Sequence, residues 1–490
     1  MNYTILDCYT DEPAGLGVPP YIGTYPRYIY GRIKRKGNNV KYLRIDDLRL
    51  YFFYDNKIKK KKKTDKKIYN RTNQDVNKIL NNTDVLIVIS GIHVPGKYLS
   101  ALPGTLFEVV KLVKNINCKK ILTGPAATEF GSRLEGGKSF ENINLSVFDE
   151  IIPDYVHDYK KIAKYAIFGA EIVKYIPDLV VAEIETSRGC SKKVPCSFCT
   201  EPLKNKLEFR NINDITDEVK ELNKAGVVHF RLGKQSDFFM WSCSEIEKML
   251  SSIRKECDIE TLHIDNIDPA KVTEEKVKLV TKYCTEGNVA ALGIESFDSE
   301  IVKKNHLNST PDTSMKAIKI INKHGKKYGK NGMPLFLPGI NLLFGLYGET
   351  KKTHEKNMKY LKQILKEELL IRRINIRQVS VYKNTDLDKL CGIKYLCKNK
   401  KYYWKWRHQI RQDIDNEILK RLVPVGHILK NVRTEVHDGN NTFARQAGTY
   451  PLVVGIKEKL PLKKNYDVKI IDHMLRSVTG EVLRLPATEL

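Results

Sequence analysis

Three cysteines stand close together in the segment Glu185-Thr-Ser-Arg-Gly-Cys190-Ser-Lys-Lys-Val-Pro-Cys196-Ser-Phe-Cys199. The spacing is C-x5-C-x2-C, with Gly189 before it and Pro195 inside it, which describes a tight loop. Three thiolates on such a loop can ligate three irons of a [4Fe–4S] cluster and leave the fourth iron for a non-protein ligand. The competing chemistry is a structural zinc, which wants a closed shell of four Cys or His ligands. His229 is the nearest candidate for that fourth ligand downstream, and it falls in an expected strand. On the ligands alone both metals stay open, because donor type does not fix the metal. The other seven cysteines are scattered singly, as small buried hydrophobes are, and predict no disulfide framework.

The elements around this loop read as alternating strands and helices. Strands are expected at Leu179–Glu185, Val228–Leu232, Thr261–Ile264, Asn288–Ile294, Gly339–Phe344 and Arg373–Gln378. Helical patterns separate them at Ile215–Ala225, Glu245–Lys255, Glu274–Tyr283 and Thr353–Lys366. Six strands alternating with helices fit an open, partial (β/α)6 barrel, in which reactive groups sit at the C-terminal strand ends. The cysteines follow the first of these strands, where chemistry is expected.

Before the barrel, strands at Tyr3–Asp7, Val40–Ile45, Asp84–Ser90 and Lys120–Thr123 alternate with helices at Asp75–Asn81 and Leu106–Val113. That is the pattern of a doubly wound sheet. No G-x-G-x-x-G opens a helix there, so no dinucleotide site is read. After it, 398–420 reads as one helix with Tyr403, Trp406, Ile410, Ile414 and Ile418 on a common face. Beyond Pro424, short β runs at 426–430, 433–437, 452–456, 466–472 and 480–484 suggest a small OB-like β-barrel.

The chain has 490 residues and a formal charge of +26. No apolar run reaches the length of a membrane span, and no secretory signal opens the chain, so a soluble cytoplasmic protein without a membrane partner is expected. The run from Lys57 to Lys67 contributes +7 and reads as a mobile insertion over 56–67. A second excess, +10, lies in 371–430. Such a balance suggests nucleic acid as a partner. Solubility, or the lysine bias of a heat-adapted genome, explains the same numbers.

The cysteine segment resembles that of radical SAM enzymes, whose three cysteines are usually spaced C-x3-C-x2-C. The resemblance implies that Cys190, Cys196 and Cys199 hold a [4Fe–4S] cluster. It implies S-adenosylmethionine (SAM) as second cofactor, chelating the open iron and cleaved to a 5′-deoxyadenosyl radical. Phe198 matches the aromatic that packs on the adenine. The segment Arg231-Leu-Gly-Lys-Gln-Ser-Asp237 resembles the Gly-rich stretch contacting the SAM amino group, which makes Gly233, Lys234 and Gln235 cofactor-binding candidates. Leu292-Gly-Ile-Glu-Ser-Phe297 is similar to the "G-x-E-S" strand end, which gives Glu295 the ribose or methionine end. Phe344-Gly-Leu-Tyr-Gly-Glu-Thr350 resembles the family's "G-x-P-G-E-T" turn, with Thr350 as a helix N-cap. No general acid or base is identified.

The flanking modules resemble those of methylthiotransferases and cobalamin-binding radical SAM proteins: a Rossmann-like domain over 1–172 and a TRAM-like OB domain over 425–490. The barrel then occupies 173–385 and a basic helical connector 386–424. Gly91-Ile-His93-Val-Pro-Gly96 supplies the His and Gly of the cobalamin loop but not its Asp, so cobalamin with His93 as ligand stays a possible but disfavoured third cofactor. Only Cys8 and Cys118 precede the loop, one ligand short of the second cluster of methylthiotransferases. An OB surface binds single strands by stacking beside a basic groove. Phe443 and Arg445, with Lys405 and Arg407 on the connector, are the RNA-binding candidates. The expectation is a radical SAM enzyme acting on tRNA or rRNA, with a flavodoxin or ferredoxin as electron donor. The alternatives are the same chemistry on a small molecule or protein, or a non-enzymatic RNA-binding protein with a structural metal.

Overall fold

The computed structural model describes residues 1–8, 21–56, 71–91, 104–128, 141, 143–156, 158–177 and 179–483. The lysine run after Asn56 and the cobalamin-loop candidate His93 lie outside them. The chain divides into two compact units. The first comprises 1–185, 209–230 and 252–259, and the second 186–208, 231–251 and 260–490.

The first unit is built on a parallel sheet. Its strands lie in the order Asn39–Arg44, Asn2–Asp7, Val85–Ile89, Lys119–Thr123 and Glu150–Ile151. All five residues of Val85–Ile89 are buried, as a central parallel strand requires. Leu6, Leu43, Leu86 and Leu122 form one core with Leu48, Leu106, Val109 and Leu112 from the helices. Cys8 and Cys118 belong to this core or pack on it, and burial pushes the Cys8 thiol well up.

Helices Thr24–Arg35 and Tyr159–Gly169 were not legible as a pair. They meet backbone to backbone. A Cβ on Gly31 would lie 1.8 Å from Tyr165 O, and one on Gly169 would lie 2.3 Å from Arg27 O. Glycine weakens an isolated helix, but here it is what permits the approach. Beside them lies a buried ion triad. Arg27 Nη2 and Arg210 Nη1 each lie 2.6 Å from Glu218, on Oε1 and Oε2 respectively. Tyr28 donates its hydroxyl to Oε2 at 3.2 Å.

In the second unit, Asn288–Glu295, Phe336–Phe344 and Arg373–Gln378 form a parallel sheet in that order. Thr261–Ile264 runs nearby, and a parallel bridge joins Ile267 to Leu292. Helices Glu274–Tyr283 and Lys351–Lys366 fall where the periodicity predicts, each moved at its ends by no more than about two residues. Pro311–Gly325 is a further helix between two of the strands.

The helix expected over 398–420 starts earlier, at Lys394, and is not continuous. It passes through a π-helical turn at Arg411–Asp415 before ending at Leu422. Tyr403, Trp406 and Ile410 are buried, as the shared face predicts.

The C-terminal strands close into a barrel in the order Ile428–Asp438, Asn441–Arg445, Val453–Ile456, Val478–Val482 and Asn465–His473. The two strands expected at 426–430 and 433–437 are one, kinked where Asn431 takes φ +55°. The barrel core is continuous with Met333, Leu337, Leu419 and Leu422. Gln446 donates to the carbonyls of Asn331 and Lys430, both at 2.7 Å. The barrel is therefore packed into the unit that carries the cysteines rather than appended to it.

Candidate active site

The cysteine loop is closed at its base. Arg188 pairs with Glu208, its Nε lying 3.1 Å from Oε2. Gly189 takes φ +80°, and a Cβ there would fall 2.5 Å from Lys206 O, so only glycine passes beneath the returning chain. The Gly189 N–H donates to Glu201 Oε1 at 2.8 Å, and its carbonyl accepts from Ser236 Oγ at 2.7 Å.

The tip is tied down as well. Ser191 Oγ accepts from Lys271 Nζ at 2.7 Å, and Lys271 pairs with Asp237 at 3.1 Å. Ser197 binds Asn305 twice, through its N–H to the carbonyl at 2.9 Å and through Oγ to Oδ1 at 2.8 Å. Asn305 is fully buried, and its amide donates to the carbonyls of Ile301 and Tyr347 at 3.0 and 2.9 Å. Between Cys196 and Cys199 the chain makes a turn, with Cys199 N–H donating to Cys196 O at 2.9 Å.

The thiols themselves face one another electrostatically. Burial pushes Cys196 up to about 12, with Cys199 and Glu295 adding to it and Lys192 opposing. Lys192 Nζ lies 3.4 Å from Cys196 Sγ and also donates to the His306 carbonyl. Cys196 Sγ donates to Asn308 Oδ1 at 3.3 Å. Burial raises Cys199 too; the Glu201 N–H opposes, while the Glu201 carboxylate and Cys190 push the same way. Thiolates at these positions need a cation beside them, and a metal supplies it by deprotonating the thiol outright.

Among the described residues, no group of three His, Cys, Asp or Glu side chains is spaced to hold a single metal ion. A cubane cluster places each thiolate on a different iron. Three thiols on one closed loop are the donor set that would hold such a cluster and leave one iron open.

Glu295 ends the Asn288–Glu295 strand with φ +61°, a conformation non-glycine residues rarely adopt. The strand bulges between Leu292 and Glu295, which re-aims the side chain. Burial raises its carboxyl to about 7, against the opposing charge of Arg377.

The other candidates lie as follows. Gln235 is buried, and its amide donates to the carbonyls of Leu232 and Asp265, both at 2.9 Å. It braces two strand ends, because a buried amide must satisfy its donors. Phe198 packs against the apolar cluster of Ile301, Leu307, Leu346 and Leu387, so its ring is already partly committed. Arg445 is buried, with Nε 3.1 Å from Glu435, and offers no free charge to a phosphate. Gly233 is buried at its strand end, Lys234 is exposed with φ +65°, and Phe443 is half-buried. Lys405 is exposed, and Arg407 stacks 5.2 Å from the ring of exposed Trp404.

Asn305, Asn308, Lys192 and Lys271 were missed. Lys192 lies within the cysteine segment itself, while Asn305, Asn308 and Lys271 carry no motif of their own and only the fold brings them to the loop.

The radical SAM family model matches residues 184–361, which contain the cysteine loop and the Glu295 strand end. The uncharacterised protein MJ0274 of Methanocaldococcus jannaschii is 41% identical over 98% of this chain and 93% of its own length. The ribosomal protein uS12 methylthiotransferase RimO of Clostridioides difficile is 22% identical over 53% of this chain and 60% of its own. A solved structure of the radical S-adenosylmethionine methyltransferase TsrM from Kitasatospora setae, with cobalamin and a [4Fe–4S] cluster bound, covers 80% of this chain and 77% of that one. The TM-score is 0.49 and the identity 12%. Residues 184–361 match the radical SAM superfamily, and the chain is an enzyme of that class. Its cofactors are a [4Fe–4S] cluster and S-adenosylmethionine, and it needs an electron donor. Among the described residues no helix is long and apolar enough to cross a membrane.

Proposed function

We propose that Cys190, Cys196 and Cys199 hold the cluster, that SAM binds beside Glu295, and that the enzyme modifies a base of an RNA. When bound, the cluster supplies the electron that cleaves SAM reductively. The chain's own residues position and tune. Lys192 and Asn308 orient Cys196, Gly189 lets the loop close, and Asn305 anchors it. Glu295, with its carboxyl near neutral pH, both donates and accepts hydrogen bonds toward a ribose or a methionine end. The closed three-thiol loop carries this part of the reading. Cys196→Ala should abolish iron loading, and retention of about four irons per chain would overturn it.

The RNA reading rests on a basic cleft. Lys351, Lys352, Lys398, Lys401 and Tyr402 line a volume of about 570 Å³. Lys351 Nζ lies 4.6 Å from the Tyr402 ring centroid and Lys401 Nζ 5.1 Å. Lys351 holds the Tyr402 hydroxyl below its usual range. Lysines around an aromatic ring, at the start of a helix, suit a nucleotide phosphate beside a stacked base. RNA affinity that falls steeply with salt is the test, and no affinity, or affinity blind to salt, removes this part.

The domain reading of 1–172 as Rossmann-like, 173–385 as a (β/α)6 barrel and 425–490 as TRAM-like goes with this proposal. It is supported by the two parallel sheets and the closed five-stranded barrel. A flavodoxin or ferredoxin is the proposed electron donor. A second reading, a protein substrate, is favoured by the match to RimO, which is named for a ribosomal protein. Following label from SAM into RNA or into ribosomal protein separates the two.

A further inference from the structure

Away from the cysteine loop, four guanidiniums from three distant pieces of chain converge. Arg372 and Arg373 stand at the start of the Arg373–Gln378 strand, and Arg411 opens the π-helical turn. Arg476 sits on the turn between the last two barrel strands in sequence, which Met474 N–H closes onto Ser477 O at 2.8 Å. That turn is pinned to the helix, Asn416 Nδ2 donating to Met474 O at 2.8 Å.

Among the described residues, one carboxylate pairs with this group. Asp415 Oδ2 pairs with Arg411 and lies 3.8 Å from Arg476 Nε. Arg411 also donates to Ile374 O at 2.7 Å, and Arg373 lies 4.7 Å over the Tyr450 ring. The Nε groups of Arg372, Arg373 and Arg411 are each buried with no hydrogen-bond partner among the described residues. Arg411 is 6% exposed, whereas the Arg476 side chain is 43% exposed and forms the rim.

Gathering like charges away from water costs free energy unless an opposite charge joins them. Four cations against one anion leave a net charge of about +3, in Coulomb terms an unfilled seat. Burial and then Arg373 lower Arg372 to about 10, and burial lowers Arg411 against the pull of Asp415. The π turn is what brings Arg411 to the group, and such turns recur at binding sites.

We infer that Arg372, Arg373, Arg411 and Arg476 form a binding site for a phosphate group, separate from the cysteine loop and from the lysine cleft. Guanidinium forks match phosphate oxygens bidentately, and three unpartnered Nε donors await acceptors. The phosphate belongs either to an RNA backbone or to a free phosphate ligand. The site does not rest on the RNA reading.

The test uses the full chain. Its unfolding midpoint is measured in increasing inorganic phosphate against chloride at matched ionic strength, for wild type and Arg476→Gln. Phosphate stabilises proteins in general by exclusion, so the saturable part of the response is what counts. Arg476→Gln lies on the rim and leaves the buried arginines in place. The expected result is a saturable rise for wild type, with the half-saturating phosphate concentration raised about tenfold or more in the variant; one lost ion-pair contact of this kind is worth that factor. A wild type with no saturable rise, or a variant that responds like wild type, overturns the proposal. In parallel, the anisotropy of a labelled single-stranded RNA is followed. Displacement of the RNA by phosphate over the same range assigns the seat to a backbone phosphate. A saturable midpoint rise without displacement assigns it to a free phosphate ligand.

Discussion

Ser197 clasps Asn305 through two hydrogen bonds, N–H to carbonyl at 2.9 Å and Oγ to Oδ1 at 2.8 Å. One of the two residues between the second and third cysteines is thereby fixed to the turn that follows helix Ser299–Lys304. Asn305→Ala removes one acceptor and two donors from a buried site. Each polar group left unsatisfied costs about 1–3 kcal/mol. The expected outcome is a protein that still folds by circular dichroism, with a lower unfolding midpoint and iron loading well below wild type. Unchanged loading would show that the clasp does not shape the loop.

Glu349 and Glu218 should respond to pH with opposite sign. Burial raises Glu349 to about 7, although Gly345 N–H at 2.6 Å, Leu346 N–H and the Asn399 amide oppose it. Its folded value lies above the ordinary 4.5, so its contribution is fully present below pH 4.5 and is lost as pH rises through about 7. Glu349→Gln should flatten that decline, worth roughly 3 kcal/mol at most across the window. Denaturant titrations at pH 5 and pH 8 measure it, and an equal slope in both proteins would contradict the assignment.

Glu218 is held below the usual carboxylate range. Burial pushes it up, but Arg210 and Arg27 outweigh burial. Its contribution is present above the ordinary carboxylate value and disappears as pH falls through its depressed one. Glu218→Gln leaves two buried guanidiniums without their anion, which costs about 3–5 kcal/mol at neutral pH. Acid titration of the variant should be flatter than that of wild type.

Lys351→Gln and Lys401→Gln each remove one charge from the lysine cleft. For a single-stranded RNA, each should make the salt dependence shallower by about 0.7 in log–log slope. Affinity that weakens with the slope intact would place the phosphate contacts elsewhere.

Much of this was readable in the chain. The strand at Val85–Ile89 announces itself as a continuous apolar run, and Thr261–Ile264 and Arg373–Gln378 fall where expected. The cysteine loop was legible because metal chemistry restricts residue type and spacing together. Helix Thr24–Arg35 was not, because the packing of Gly31 on Tyr165 that makes this glycine necessary is a distant contact. Strand Asn441–Arg445 was missed because it is short and has neighbours of mixed character. Arg445 looked like a phosphate contact until its neighbour across the sheet, Glu435, was known. Asn305 and Lys271 reach the site through distant contacts that no local pattern encodes.

The central claim is that this three-cysteine loop carries reductive SAM chemistry. The most direct measurement is 5′-deoxyadenosine produced by anaerobically reconstituted protein given SAM and dithionite. Wild type should yield 5′-deoxyadenosine and Cys196→Ala none. A wild-type protein loaded with about four irons that leaves SAM intact, or one that holds zinc tightly and takes up no iron, would contradict it.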